Sequence, residues 1–253
     1  MERQSLRPSQ NSQIHSRNDG GAQNRVPQKN FYSQESNRVW PLFLLNQVSV
    51  FLNGKKVLMD LNLKIHQGDF TFISGPTGAG KTTLLRFLYG ELPSFRGEFL
   101  AQLSPHQGRE LFVARIYQDL KVFNDRTLKD NLMLAYDSSL YRSKDEFLEQ
   151  AMDFCQLFNM DKDFLRPVDE ISGGGKQKVA IVRTLLGRPD VLLADEPTSN
   201  LDRNSAIKLF EVLHHLNQKK RMTVIWATHN YEFVRNFSGN LVQMEQGKLV
   251  YQI

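Results

Sequence analysis

Gly75-Pro76-Thr77-Gly78-Ala79-Gly80-Lys81-Thr82 is the stretch that decides the fold. It matches the phosphate-loop pattern G-x-x-x-x-G-K-[ST], in which glycines let the backbone wrap tightly and aim N–H groups at phosphates. Its flanks fit the pattern. Phe70-Thr71-Phe72-Ile73-Ser74 reads as a buried strand, and Thr82–Tyr89 reads as a helix ending near Gly90. A helix beginning near Gly80 adds its positive dipole end to the same cradle. Lys81 is placed to reach the β- and γ-phosphates, the Thr82 hydroxyl to ligate Mg²⁺, and Pro76, Thr77, Ala79 and Thr83 complete the nucleotide contact. A glycine-rich turn matching by chance lacks this strand-before, helix-after context.

A second stretch belongs with the first. Val191-Leu192-Leu193-Ala194 is a short apolar run that ends in Asp195-Glu196. Unpaired buried charge is expensive, so a buried strand carries acids at its tip for a reason. Beside a phosphate loop, Asp195 is expected to hold Mg²⁺ and Glu196 to polarise the attacking water. Without that loop, the acids read as a helix cap.

Working outward, Phe43–Leu52 and Leu61–Ile65 alternate as strands do, with Asn53-Gly54 as a turn between them. Phe112–Tyr117, Val191–Ala194 and Thr223–Ala227 are further strands. Residues 127–165 read as helical, with Ser143 a candidate cap. A helix starts near Ser172 and stops at Gly187 and Pro189. Asp202–Leu216 is helical, Asn230–Phe237 is a short helix, and Leu241–Met244 pairs with Lys248–Tyr251 around Gln246-Gly247. Alternating strands and helices predict an α/β fold with a mainly parallel sheet, and the early alternating strands predict an added antiparallel sheet.

Composition narrows the function classes. The 253 residues suit one large domain with a tail, and the formal charge is +5. Six basic residues against three acidic ones lie in the first forty, which leaves little charge for a nucleic-acid-binding face elsewhere. Residues 1–39 are rich in Gln, Asn, Ser and Arg and are expected to be disordered; the domain is expected to run from 40 to 253. Cys155 is the single cysteine, so no intrachain disulfide forms, and its helical spacing with Phe147, Ala151, Phe154 and Phe158 marks it as core. No apolar run has the length to cross a bilayer and no secretion signal is evident, so any work at a membrane requires a separate anchor.

Five ordered motifs carry a family resemblance. After the phosphate loop come Gln118, then Ser172-Gly173-Gly174-Gly175-Lys176-Gln177, then Ala194-Asp195-Glu196-Pro197-Thr198-Ser199-Asn200-Leu201-Asp202, then Ala227-Thr228-His229. In this order and spacing, residues 43–253 resemble the ATPase subunits of ABC transporters. The resemblance implies a P-loop ATPase domain with a RecA-like core sheet, an antiparallel β subdomain and a helical subdomain at about 119–185. It implies ATP and Mg²⁺ as cofactors and a homodimer in which each ATP is shared. Gln118 would sense Mg²⁺ and the γ-phosphate. Ser172, Gly173 and Gly174 would close over ATP held by the other copy. Asp202 would lie at the seam, His229 would contact the γ-phosphate, and Phe51 would stack on adenine. Read alone, Gln118 is a surface glutamine, His229 a helix cap and Phe51 a core aromatic. The signature departs from the usual pattern at Ile171, where Leu is common, and at Gly175, where Gln or Glu is common.

Within the family, Tyr117–Asn131, above all Asp125-Arg126-Thr127, resembles the cell-division ATPases of the FtsE type. That likeness implies an integral membrane partner of the FtsX type docking near 119–135, and a location on the cytoplasmic face of the plasma membrane. The chain would signal to cell-wall hydrolases rather than move a solute. The ATPases of lipoprotein-release and macrolide exporters share the other motifs, and soluble ABC ATPases of DNA repair or translation form a third class.

Overall fold

The computed structural model of the chain describes residues 41–102, 111–118, 120–230 and 234–252. The tail expected over residues 1–39 lies outside them, as does the middle of the helix expected over 230–237.

Two sheets organise the described residues. β1 (Phe43–Leu52) and β2 (Lys55–Ile65) form a hairpin whose two-residue turn is Asn53-Gly54. β3 (Phe70–Ser74) leads through the glycine-rich loop into α1 (Lys81–Leu88). β4 (Phe95–Ala101) then returns to pair antiparallel with β1, so the first sheet has the order β2-β1-β4. The sequence reading missed β4 because Gly97 interrupts its apolar alternation. That glycine is required by close approach: a Cβ there would lie 2.4 Å from the carbonyl oxygen of Gln47, at the irregularity where β1 shifts register.

The second sheet contains β5 (Val113–Ile116), β6 (Val191–Asp195), β7 (Thr223–Thr228), β8 (Asn240–Glu245) and β9 (Lys248–Gln252), in the order β5-β6-β7-β3-β8-β9. All neighbours pair in parallel except β8 with β9. Every residue of β3, β5, β6 and β7 is buried, as expected of strands covered on both faces. Their alternation divides the core. Val224 and Trp226 of β7 join Phe70, Phe72 and Phe210 on one face. Ile225 and Ala227 join α1 and the antiparallel strands on the other.

Three helices fill the stretch between β5 and β6: α2 (Leu128–Met133), α3 (Lys144–Leu157) and α4 (Gly173–Leu186). The continuous helical run expected over 127–165 is corrected here. Asp137 breaks it, its side chain accepting from Ser139 N at 2.7 Å in a turn that competes with helical bonding. Ser143 does cap α3, accepting from Glu146 N at 3.1 Å. Cys155 is buried among the apolar residues of α3 and α4. The last helix, α5 (Arg203–Lys220), joins β6 to β7. The α/β architecture, with its parallel sheet and added antiparallel sheet, is the one the sequence predicts.

Candidate active site

The C-terminal tips of β3, β6 and β7 converge on the glycine-rich loop. Gly75 is fixed by close approach: its φ is 152°, and a Cβ there would lie 2.2 Å from the carbonyl oxygen of Met244 on β8. The loop is backed from the same side by the β8–β9 turn, where Gly247 N donates to Ala79 O at 2.9 Å. Pro76, Thr77 and Gly78 are exposed, Gly80 precedes α1 as its N-cap, and Thr83 is half-buried on the first turn.

Lys81 is buried, and its Nζ donates to the carbonyls of Gly75 at 2.8 Å and Pro76 at 3.1 Å. It also lies 3.8 Å from Glu196 Oε1. The Thr82 hydroxyl donates to Asp195 Oδ1 at 3.1 Å, joining the loop to the tip of β6. Burial pushes the Asp195 carboxyl above the usual carboxylate range, against the pull of Thr82 and Arg115.

Glu196 has a φ of 47°, in the left-handed region that non-glycine residues seldom occupy, and its N–H donates to Ala227 O at 2.9 Å. This conformation costs on the order of 1 kcal/mol and persists because β7 holds the backbone. The side chain is aimed between two partners: Lys81, and His229, whose Nδ1 lies 2.8 Å from Glu196 Oε1. An ammonium, a carboxylate and an imidazole thus meet beside the glycine-rich loop. That arrangement can orient a water and stabilise charge on a phosphoryl group.

The remaining predicted residues divide. Ser172 caps α4, accepting from Gly175 N at 3.1 Å, and is exposed with Gly173. No described hydrogen bond joins Ser172, Gly173 or Gly174 to the phosphate loop. Gly174 instead abuts the run after Glu196: a Cβ there would lie 2.7 Å from Asn200 O. Asp202 caps α5, accepting from Ser205 N at 2.9 Å and from Ser205 Oγ at 2.6 Å. Gln118 stands exposed two residues past β5. Phe51 is half-buried and carries the guanidinium of Arg96 over its ring at 5.4 Å.

Three supporting residues escaped the sequence reading. Buried Gln177 donates to Pro197 O at 2.9 Å and accepts from Asn200 at 2.9 Å, tying α4 to the run after Glu196. Buried Asn131 clamps the loop before α2, accepting from Phe123 N at 2.8 Å and donating to the carbonyls of Phe123 and Thr127. Arg115, in the middle of β5, reaches Asp195 Oδ2 at 3.2 Å. The available signal was a charged residue within an apolar strand. Arg115 also helps wall a cleft of about 510 Å³ between β5, α4 and the segment after α2, lined by Tyr89, Glu91, Tyr117, Lys121, Tyr136 and Arg183 among others.

Comparisons with known proteins give the family and the fold. Residues 58–199 match the family described as ABC transporter. The chain is 32% identical over 211 residues to the cell division ATP-binding protein FtsE of Bacillus subtilis, covering 78% of this chain and 90% of that one. It is 33% identical over 221 residues to the phosphonates import ATP-binding protein PhnC of Lactobacillus delbrueckii subsp. bulgaricus, covering 81% and 86%. Among solved structures, an ATP-binding subunit of an ABC transporter superposes with a TM-score of 0.72 at 22% identity, over 84% of this chain and 89% of that one. A dimeric bacterial ABC transporter cassette gives 0.69 at 23%, over 83% and 97%.

Proposed function

The chain belongs to the ABC transporter ATPases, and from that premise we propose that two copies close on shared ATP and couple its hydrolysis to a membrane partner of the FtsX type in bacterial cell division. The observation that carries the catalytic part is the convergence of Lys81, Glu196 and His229, with Glu196 Oε1 3.8 Å from the ammonium and 2.8 Å from the imidazole.

In this reading Glu196 holds and polarises the attacking water, His229 fixes the Glu196 rotamer and reaches the γ-phosphate, and Lys81 exchanges its carbonyl partners for phosphate oxygens. Phe51 offers a ring face to adenine. Gln118 senses the γ-phosphate, and Ser172, Gly173, Gly174 and Asp202 serve the ATP of the other copy.

The donors beside the loop fit Mg²⁺. Thr82 and Asp195 present hard oxygens 3.1 Å apart, and no group of three His, Cys, Asp or Glu residues forms a protein-only metal cage among the described residues. Such a pair suits a cation that keeps waters and takes phosphate oxygens. When bound, Mg²⁺ offsets charge on the β- and γ-phosphates.

No helix among the described residues is long and apolar enough to cross a membrane; in this reading the membrane partner holds the chain at the cytoplasmic face. The cleft beside β5 and the Asn131-clamped loop at Phe123–Thr127, within the expected 119–135 region, would then seat a helical cytoplasmic segment of that partner. The FtsE relative and the Asp125-Arg126-Thr127 run support the cell-division reading. The PhnC relative supports a second one, in which the partner is a solute-import permease.

Glu196→Gln tests the catalytic reading. It is expected to retain ATP binding, lose at least about 100-fold in hydrolysis and accumulate as an ATP-bound dimer in size-exclusion chromatography. Unimpaired turnover defeats the assignment. Charge reversal at Lys121 and Arg126 is expected to abolish co-purification with an FtsX-type protein from solubilised membranes and to spare nucleotide binding. Recovery of an import permease instead supports the second reading.

A further inference from the structure

Arg115 is a cation in a strand whose other residues, Val113, Ala114 and Ile116, are apolar and buried. Its side chain is 4% exposed and that of Asp195 is 1% exposed, so both charges are out of water. A buried guanidinium is costly unless its charge is paired, and Arg115 is held by two carboxylates through its Nη groups while its Nε is buried without a hydrogen-bond partner. One Nη reaches Asp195 Oδ2 at 3.2 Å, and the other reaches Glu91 Oε1 at 3.0 Å. The second oxygen of Glu91 accepts from Arg86 Nε at 2.8 Å, and the Arg115 guanidinium lies 4.7 Å from the centre of the Tyr117 ring.

The two oxygens of Asp195 therefore have different partners. Thr82, on the phosphate loop, takes Oδ1; Arg115, from the cleft side of the sheet, takes Oδ2. Two donors on opposite edges of a carboxylate fix its rotation about χ2, which a single donor does not. We propose that Arg115 is a positioning residue for Asp195. It holds Oδ2 so that the Oδ1 edge, beside Thr82, faces the Mg²⁺ that arrives with ATP, and Glu91 holds Arg115 from the cleft. The proposal rests on reading Thr82 and Asp195 as the Mg²⁺ edge of the nucleotide site. Partners one step removed from a metal ligand orient it and set metal affinity in the same way.

The test uses the full chain, the variants Arg115→Met, Arg115→Lys and Glu91→Gln, and a ribose-labelled fluorescent ATP analogue. Binding is titrated in EDTA and against Mg²⁺, and thermal unfolding is followed in parallel. In EDTA, all three variants bind as the parent does. The Mg²⁺ concentration giving half the metal-dependent enhancement rises about tenfold in Arg115→Met. Arg115→Lys, which restores the charge with one donor group, recovers most of that loss. Glu91→Gln falls between the parent and Arg115→Met.

An unchanged or lowered Mg²⁺ requirement in Arg115→Met overturns the proposal, as does an equal loss of affinity with and without metal, which marks a merely structural residue. If Arg115→Met does not fold, an unchanged requirement in Glu91→Gln overturns it. Binding by the parent chain that ignores Mg²⁺ defeats the underlying reading of the site and this proposal together. Metal-dependent parent binding with an unaffected Arg115→Met defeats the proposal alone.

Discussion

The γ2 methyl of Ile171 fills the space in which a side chain at Gly175 would begin: a Cβ on Gly175 lies 2.2 Å from it. The two departures from the usual signature pattern are thus one feature, a β-branched residue before the helix matched by the absence of a side chain one turn later. Gly175→Gln is expected to destabilise the fold by about 1–3 kcal/mol through overpacking, and adding Ile171→Leu, which removes the branch at Cβ, to recover most of it. Denaturant unfolding of the two single variants and the double variant measures the coupling. Additive effects break the connection.

Asn131 makes three bonds to the backbone of the loop at Phe123–Thr127 from a fully buried position. Asn131→Ala strands the polar groups of Phe123 and is expected to cost about 1–3 kcal/mol. Limited proteolysis is expected to cut near Phe123 faster than in the parent, while ATP binding persists. An unchanged cleavage pattern removes Asn131 as the clamp.

Gly247→Ala is expected to weaken nucleotide binding without touching the nucleotide. A Cβ there would lie 2.3 Å from the carbonyl oxygen of Val57, at a φ of 77°. The turn has to shift, and with it the bond from Gly247 N to Ala79 O. The expected destabilisation is about 1–3 kcal/mol, with a parallel loss of ATP affinity. Full ATP affinity in a destabilised variant separates the turn from the loop.

Burial pushes the Cys155 thiol up to about 12 from 9.0. The folded value lies above the unfolded one, so the contribution of the buried thiol to stability is complete below pH 9 and is lost as pH rises toward 12. At pH 8 an aromatic disulfide reagent is expected to label the denatured chain and leave the folded one unlabelled. Rapid labelling of the folded chain contradicts this burial.

The parts of the fold legible in the sequence are those with strong local signals. The apolar runs Phe70–Ser74 and Val191–Ala194 read as buried strands, and the Gly75–Thr82 motif placed a helix directly after the first. β4 was hidden because the residue that accommodates its irregular pairing, Gly97, erases the alternation that identifies a strand. The helical run at 127–165 was overread because the Asp137 turn is made by a side chain, which periodicity does not register. At the candidate site, Lys81, Thr82, Asp195, Glu196 and His229 were legible from motif order. Arg115, Asn131 and Gln177 were not, since each acts through a partner 80, 8 or 20 residues away in sequence.

The backing of the glycine-rich loop has a consequence during synthesis. Gly75 is seated against the carbonyl of Met244 and Ala79 is bonded to Gly247, so the loop and its support are separated by almost the whole domain. A ribosome that has translated the loop has not yet made the turn that braces it. The nascent chain therefore carries the glycine-rich loop without its brace until the β8–β9 turn, about 165 residues later, has been made.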